Sequence, residues 1–99
     1  MSAYPFSFVT VHGKIFDGKV DSVIAPGVEG YFGVLSQHAP MVAMLTRGVV
    51  SLRQEGVEKH FAVNQGILEV DGSGQVVLLA QEGVAADSIN QAKEKAAAF

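Results

Sequence analysis

Glycine-centred turn signals interrupt residues 6–80 so often that no regular element there can be long, and this most constrains the fold. Asp17-Gly18, Pro26-Gly27, Arg47-Gly48, Glu55-Gly56 and Asp71-Gly-Ser-Gly74 each suit a chain reversal. Glycine accepts positive φ without steric cost, and proline presets the preceding turn angle. Between these signals apolar and polar residues alternate with the period of a half-buried strand. Phe6–Val11, Lys14–Phe16, Lys19–Ala25, Met41–Leu45, Val49–Gln54, Val57–Val63, Ile67–Val70 and Gln75–Ala80 read as strands. Breaks are expected at His12-Gly13, Asp17-Gly18 and Asn64-Gln-Gly66. In Lys19–Ala25, the alternation places Val20, Ser22 and Ile24 on one face, opposite Asp21, Val23 and Ala25. About eight to ten strands at this spacing predict a mainly β fold, a sandwich or barrel closed by tight turns.

The pattern changes after Glu82. Ala86–Phe99 is rich in alanine and other helix formers. Ser88 followed by Gln91 has the spacing of a capping box, with Asp87 as an alternative cap. Ile89, Ala92, Ala96 and Phe99 form a thin apolar side. A helix this short is marginal alone and must lean on another surface. The expected division is therefore a β domain over residues 1–84 and a short C-terminal helix over residues 85–99.

Composition narrows the function. The 99 residues fit one domain. The chain has no cysteine, which excludes a disulfide scaffold, a zinc ribbon and a thiol nucleophile. Net charge is −3 and the seven basic residues are scattered, so phosphate-driven nucleic-acid binding is not expected. No apolar run approaches the ~20 residues that span a bilayer. Met1–Phe6 lacks the basic and apolar regions of a signal peptide.

The candidate chemistry is sparse. His12, His38 and His60 suggest a metal site in a cupin-like barrel, but no two share the spacing that puts them on one face of a strand or helix. Surface or interface positions suit them better. Asp17 with Asp21, and Glu55 with Glu58, sit at turns, where carboxylates are solvated rather than tuned for proton transfer. Gly27-Val-Glu-Gly-Tyr-Phe-Gly33 lacks the glycine order, the lysine and the following helix of a nucleotide loop. No catalytic residue, metal ligand or cofactor is expected. The residues themselves point to a small binding or assembly module.

One stretch is distinctive. Glu29-Gly-Tyr-Phe-Gly-Val-Leu-Ser-Gln-His-Ala-Pro-Met41 resembles the Glu-Gly-x-x-Gly-[Ile/Val]-x-x-x-His-Ala-Pro-[Leu/Met] pattern of the epsilon subunits of bacterial rotary ATP synthases. Phe16–Gly30 resembles that family's lead-in, Gln65-Gly-Ile-Leu-Glu-Val70 its Gly-Gly-[Ile/Phe]-Leu-Glu-Val, and Val76-Val-Leu-Leu-Ala80 its Val-Thr-Val-Leu-Ala. Arg47-Gly-Val49 stands where the family has Pro-Gly-[Met/Val]. The order and spacing agree over residues 6–82.

The resemblance implies a flattened β-sandwich that does no catalysis. It implies a rotor subunit at the foot of the central stalk, peripheral to the cytoplasmic face of the bacterial plasma membrane. Such a subunit binds gamma, touches the polar loops of the c-ring, and helps couple proton- or sodium-driven rotation to ATP synthesis in the catalytic head. By resemblance, His38, Ala39, Pro40 and Met41 lie near gamma, and Glu29, Gly30, Tyr31, Phe32 and Gly33 lie toward the c-ring. An anchoring hydrogen bond within the domain is the other reading of His38. Tyr31 stands where many members carry an acidic residue, so packing and hydrogen bonding take the place of charge at that position. Typical members continue into a helical hairpin that inhibits hydrolysis; here that part is expected to be truncated or naturally short. Ile89-Asn-Gln-Ala-Lys-Glu94 stands where some members bind ATP. Asn90 replaces the carboxylate, and Lys93 cannot copy the planar fork of the family's arginine, so no ATP binding is expected.

Overall fold

The computed structural model describes residues 2–99. Eight strands precede one helix: β1 (Tyr4–Thr10), β2 (Gly13–Val20), β3 (Ser22–Gly27), β4 (Gly30–Val34), β5 (Met41–Leu45), β6 (Gly48–Gln54), β7 (Val57–Val70), β8 (Val76–Ala86) and α1 (Ile89–Ala97). The strands pair in the order β2-β1-β8-β7-β5-β3-β4, and β6 bridges β3 and β7. All pairs are antiparallel except β1 with β8, which is parallel. This is the mainly β sandwich with a short helix that the strand spacing predicts.

Strands close the sandwich by changing layers, β7 and β3 most clearly, with β8 following β7 through its bend. The first half of β7, Gly48's partner Val63 included, pairs with β6; its second half, from Gly66, pairs with β5. β3 does the same, pairing β6 over Ser22–Ile24 and β5 at Gly27. A strand that passes between layers must bend, and the bend needs a special residue. In β7 it lies at Gln65, with φ 52°, and at Gly66, where an added Cβ would stand 2.5 Å from the Leu79 carbonyl oxygen. In β3 it lies at Pro26, which has no N–H to donate to a ladder.

Three local expectations are corrected here. Asn64-Gln-Gly66 bends β7 without ending it, because β8 stays paired on both sides of the bend. Asp17-Gly18 lies inside β2, opposite Ser7 and Phe6. The hairpin turn falls earlier, at Val11-His12, with Gly13 at φ 127°. A Cβ at Gly18 would stand 3.2 Å from the terminal amide nitrogen of Gln54, a close contact with a flexible side chain. Lys19–Ala25 is also two strands, broken at Asp21, whose N–H bonds the Arg53 carbonyl. That break switches faces, so Val20 and Val23 are both fully buried.

The inward side chains fill one core between the layers. Phe6, Phe8, Phe16 and Phe61 form its aromatic part, with ring centroids 5.5–6.5 Å apart and tilted or edge-on geometry. Such contacts are favoured by the ring quadrupole. Tyr4 is buried beside them and donates to the Val34 carbonyl at 2.6 Å. Burial pushes its phenol well above the ordinary tyrosine value. The unfolded chain therefore ionises this tyrosine first, and the stability it contributes below pH about 10 is lost as pH rises further. Tyr4→Phe is expected to flatten the loss of stability between about pH 10 and 12, a slope worth up to about 1.4 kcal/mol per pH unit. Denaturant midpoints measured across that range check it; an unchanged slope would assign the alkaline loss to other groups.

α1 covers the outer side of one layer. Ser88 caps it, accepting from the Gln91 N–H at 3.0 Å, and the Gln91 side chain accepts from the Asp87 N–H at 2.6 Å. The helix packs against β6, β7 and β8. Ala92 and Ala96 are buried in that contact, as are Val49 and Ala62 on the sheet side. These alanines let the helix approach closely, and Lys95 ties it to the Ala85 carbonyl at 2.9 Å. Ile89 points largely to solvent.

Candidate functional site

The layer without a helix exposes an apolar face. Strand pairing sets Met44 opposite Ile67, Ile67 opposite Leu79, and Leu79 opposite Val9. One row along, Val42, Glu69, Val77 and Ser7 stand side by side. Val42 is 65%, Met44 57% and Leu79 53% exposed, values far from those of core residues. Val11, 73% exposed, extends the row at the end of β1. Isolated exposed apolar side chains are ordinary, but a contiguous row across four strands marks an interaction surface.

This face continues toward the β3–β4 hairpin. Gly27 to Phe32 and Val42 to Met44 line one shallow groove, so Met44 joins the two regions. The hairpin tip carries Val28, Glu29 and Gly30, all exposed, with Gly30 at φ 125°. The five residues expected by resemblance to face the c-ring thus differ in position. Glu29 and Gly30 form the tip, Tyr31 and Gly33 are exposed along β4, and Phe32 is half-buried against the core.

Tyr31 has a task inside the domain. Its hydroxyl accepts the Val49 N–H at 3.0 Å. Where β3 leaves β6 at Pro26, that N–H has no strand partner, and the phenol supplies one. The close approach depends on Gly48, where a Cβ would stand 2.7 Å from the Tyr31 hydroxyl and 2.8 Å from Pro26. Tyr31→Phe is expected to destabilise the domain by about 1–2 kcal/mol through the unmet N–H. Chemical denaturation checks this; a loss below a few tenths of that unit would mean that water replaces the phenol.

The other expected segment lies at the opposite end of β5. His38, Ala39 and Pro40 belong to the loop after β4, beside the Asp71–Gly74 turn and residues 2–5. Gln37 turns that loop at φ 63°. His38 is half-buried, and its Nδ1 lies 2.7 Å from the Ala39 carbonyl, the geometry of a loop anchor. Its other ring nitrogen is left for a further partner. Met41 starts β5 and packs partly on the core. The Asp71 carboxylate accepts from the Ser73 hydroxyl and from the Ser73 and Gln75 N–H groups. These bonds, the Ser73 hydroxyl first, hold it below the usual carboxylate range. The structure therefore does not bring Glu29–Gly33 and His38–Met41 together.

The three histidines do not converge. His12 is in the β1–β2 turn, with its N–H on the Thr10 hydroxyl. His60 is on β7, where Nδ1 meets the Ser51 hydroxyl at 2.8 Å and Nε2 lies 3.8 Å from Glu58. No group of three or more metal-ligating side chains lies together among the described residues. The cupin-like reading loses its geometric basis.

The apolar face itself escaped the strand reading. Its signal was present in Ile67-Leu68 and Val76–Leu79, which are apolar on both alternating faces. Strands covered on one side only should be polar on the other.

Comparison with known proteins adds the following. The family model described as ATP synthase, Delta/Epsilon chain, beta-sandwich domain matches residues 3–86. An ATP synthase epsilon chain of Helicobacter pylori (strain HPAG1) is 36% identical over 101 aligned positions, covering 95% of this chain and 82% of the relative. One from Alkalihalophilus pseudofirmus is 40% identical over 101 positions, covering 97% and 75%. A chain in a cryo-electron-microscopy structure of the Euglena gracilis mitochondrial ATP synthase OSCP/F1/c-ring superposes with a TM-score of 0.80 at 22% identity. The match covers 86% of the present chain and 54% of the Euglena one.

Proposed function

This chain belongs to the ATP synthase delta/epsilon family, and from that premise we propose that it is an epsilon-type subunit of the central stalk. It acts by assembly. It joins gamma to the polar loops of the c-ring and helps transmit ion-driven rotation to ATP synthesis in the head. It sits peripherally on the cytoplasmic face of a bacterial plasma membrane. No helix among the described residues is long and apolar enough to cross a membrane. Chemistry belongs to other subunits in this reading.

The observation that carries this reading is the contrast between the two outer faces of a family-matched sandwich. One is covered by α1; the other carries Val9, Met44, Ile67 and Leu79 in a row and is open. Gamma takes the open face, and His38–Met41 adds to that contact from the loop end. Glu29–Gly33, at the projecting hairpin, meets the c-ring. Stable protein interfaces bury roughly 800 Å² per partner, which a face four strands wide can supply. A rotor element must also resist torque. Here the layers are linked by β3, β7 and β8, which run through both, so shear between them strains covalent chain.

Affinity isolation of the tagged chain from detergent-solubilised membranes tests the reading. Gamma, the head subunits and the c-ring are expected together. Recovery of none of them, with the chain folded, would overturn it.

A further inference from the structure

The open apolar face carries a charge one row along from Met44, Ile67, Leu79 and Val9. Glu69 lies on β7 between Val42 of β5 and Val77 of β8, two residues from Ile67 on the same face. It is exposed. Among the described residues its carboxylate has no hydrogen bond and no ion pair; the pairs present are Lys14–Asp17, Arg53–Glu58 and His60–Glu58. The strand positions beside it are valines, so this chain offers it no polar neighbour across the sheet.

Charged residues are depleted at interface cores because an unpaired charge there loses its hydration without compensation. Placing one beside the apolar row is costly in any complex that covers both rows unless the partner answers it. Resting on the reading that this face receives gamma, we propose that Glu69 is a specificity-determining contact, matched by a lysine or arginine set within an apolar strip of the gamma surface. The apolar row supplies contact area that many surfaces resemble. The carboxylate supplies register: only a partner with a cation at that point docks without stranding a charge. An arginine would fit best, since its fork takes both carboxylate oxygens. Glu69 is thus a docking contact distinct from the Glu29–Gly33 hairpin and the His38–Met41 loop.

Binding to the gamma subunit encoded with this chain, measured for the purified proteins at low and high salt, tests the proposal. Glu69→Lys is expected to weaken binding about thirtyfold or more, and Glu69→Gln to weaken it less while reducing its dependence on salt. Thermal unfolding of both variants should be unchanged, because Glu69 is exposed and unpaired. A charge-reversal scan of the lysines and arginines of gamma should find one change that restores binding of Glu69→Lys. Leu79→Asp separates the two levels of inference. If Leu79→Asp weakens binding and Glu69→Lys does not, the face is the docking site and the charge match is wrong. If Leu79→Asp also has no effect, the assignment of the face to gamma fails, and this proposal fails with it.

Discussion

Gly66→Val is expected to destabilise the domain by about 3 kcal/mol or more, the upper range for overpacking a tight site. The clash is with backbone, 2.5 Å to the Leu79 carbonyl oxygen and 3.1 Å to the Ala80 Cα, so no side-chain rotation relieves it. β8 must move away or β7 must straighten. Either response damages the point where β7 passes from β6 to β5, and with it the closure of the sandwich. Against the 5–15 kcal/mol that holds a small domain together, this is a large fraction. The melting midpoint should fall by about 12–24 °C, using 4–8 °C per kcal/mol for a domain of this size. Gly72→Ala is the control, because nothing lies within 4 Å of a Cβ there. Thermal unfolding followed by circular dichroism makes the comparison. A Gly66→Val midpoint close to that of Gly72→Ala would show that the bend relocates at little cost.

The Met44→Asp, Leu79→Asp double variant is expected to fold normally and to be lost from the stalk. Both side chains are more than half exposed, so the isolated domain loses little by their replacement. In the proposed gamma complex the same two positions would be buried. Each loses about 1.5–3 kcal/mol of apolar burial, and each adds a carboxylate without a partner. The combined loss exceeds about 4 kcal/mol, roughly a thousandfold in affinity. Affinity isolation should recover the double variant without gamma, while its melting midpoint stays within a few degrees of the parent. Full recovery of gamma would move the interface to another surface.

The two variants separate fold from function because Gly66 sits at the bend of β7, while Met44 and Leu79 flank the outward Ile67 on the neighbouring strands. In Gly66–Val70 of β7, Leu68 and Val70 fill the core, while Ile67 and Glu69 point outward. A shift of one residue would exchange them. The alternation itself was legible in the sequence, as were the turns at Glu55-Gly56 and Asp71–Gly74 and the Ser88 cap. Asp17-Gly18 has the pattern of a turn yet lies inside β2, because the pairing with Ser7 and Phe6 of β1 continues through it. The exposed row was unread for a similar reason. Ile67 and Leu79 look like ordinary strand apolars until it is known which layer α1 covers.

The sequence by itself determined the mainly β class, the positions of most reversals, the short capped helix and, through the Glu29–Met41 pattern, the family. These are properties of neighbours along the chain: turn geometry, period and local motif. Only the tertiary structure decided where β3 and β7 cross between layers, that Tyr31 serves the Val49 N–H, that α1 takes one outer face, and that Glu69 has no ion pair beside the apolar row of the other. Each of those depends on residues brought together across strands, and a one-dimensional pattern carries no record of which distant backbone will lie beside a given side chain.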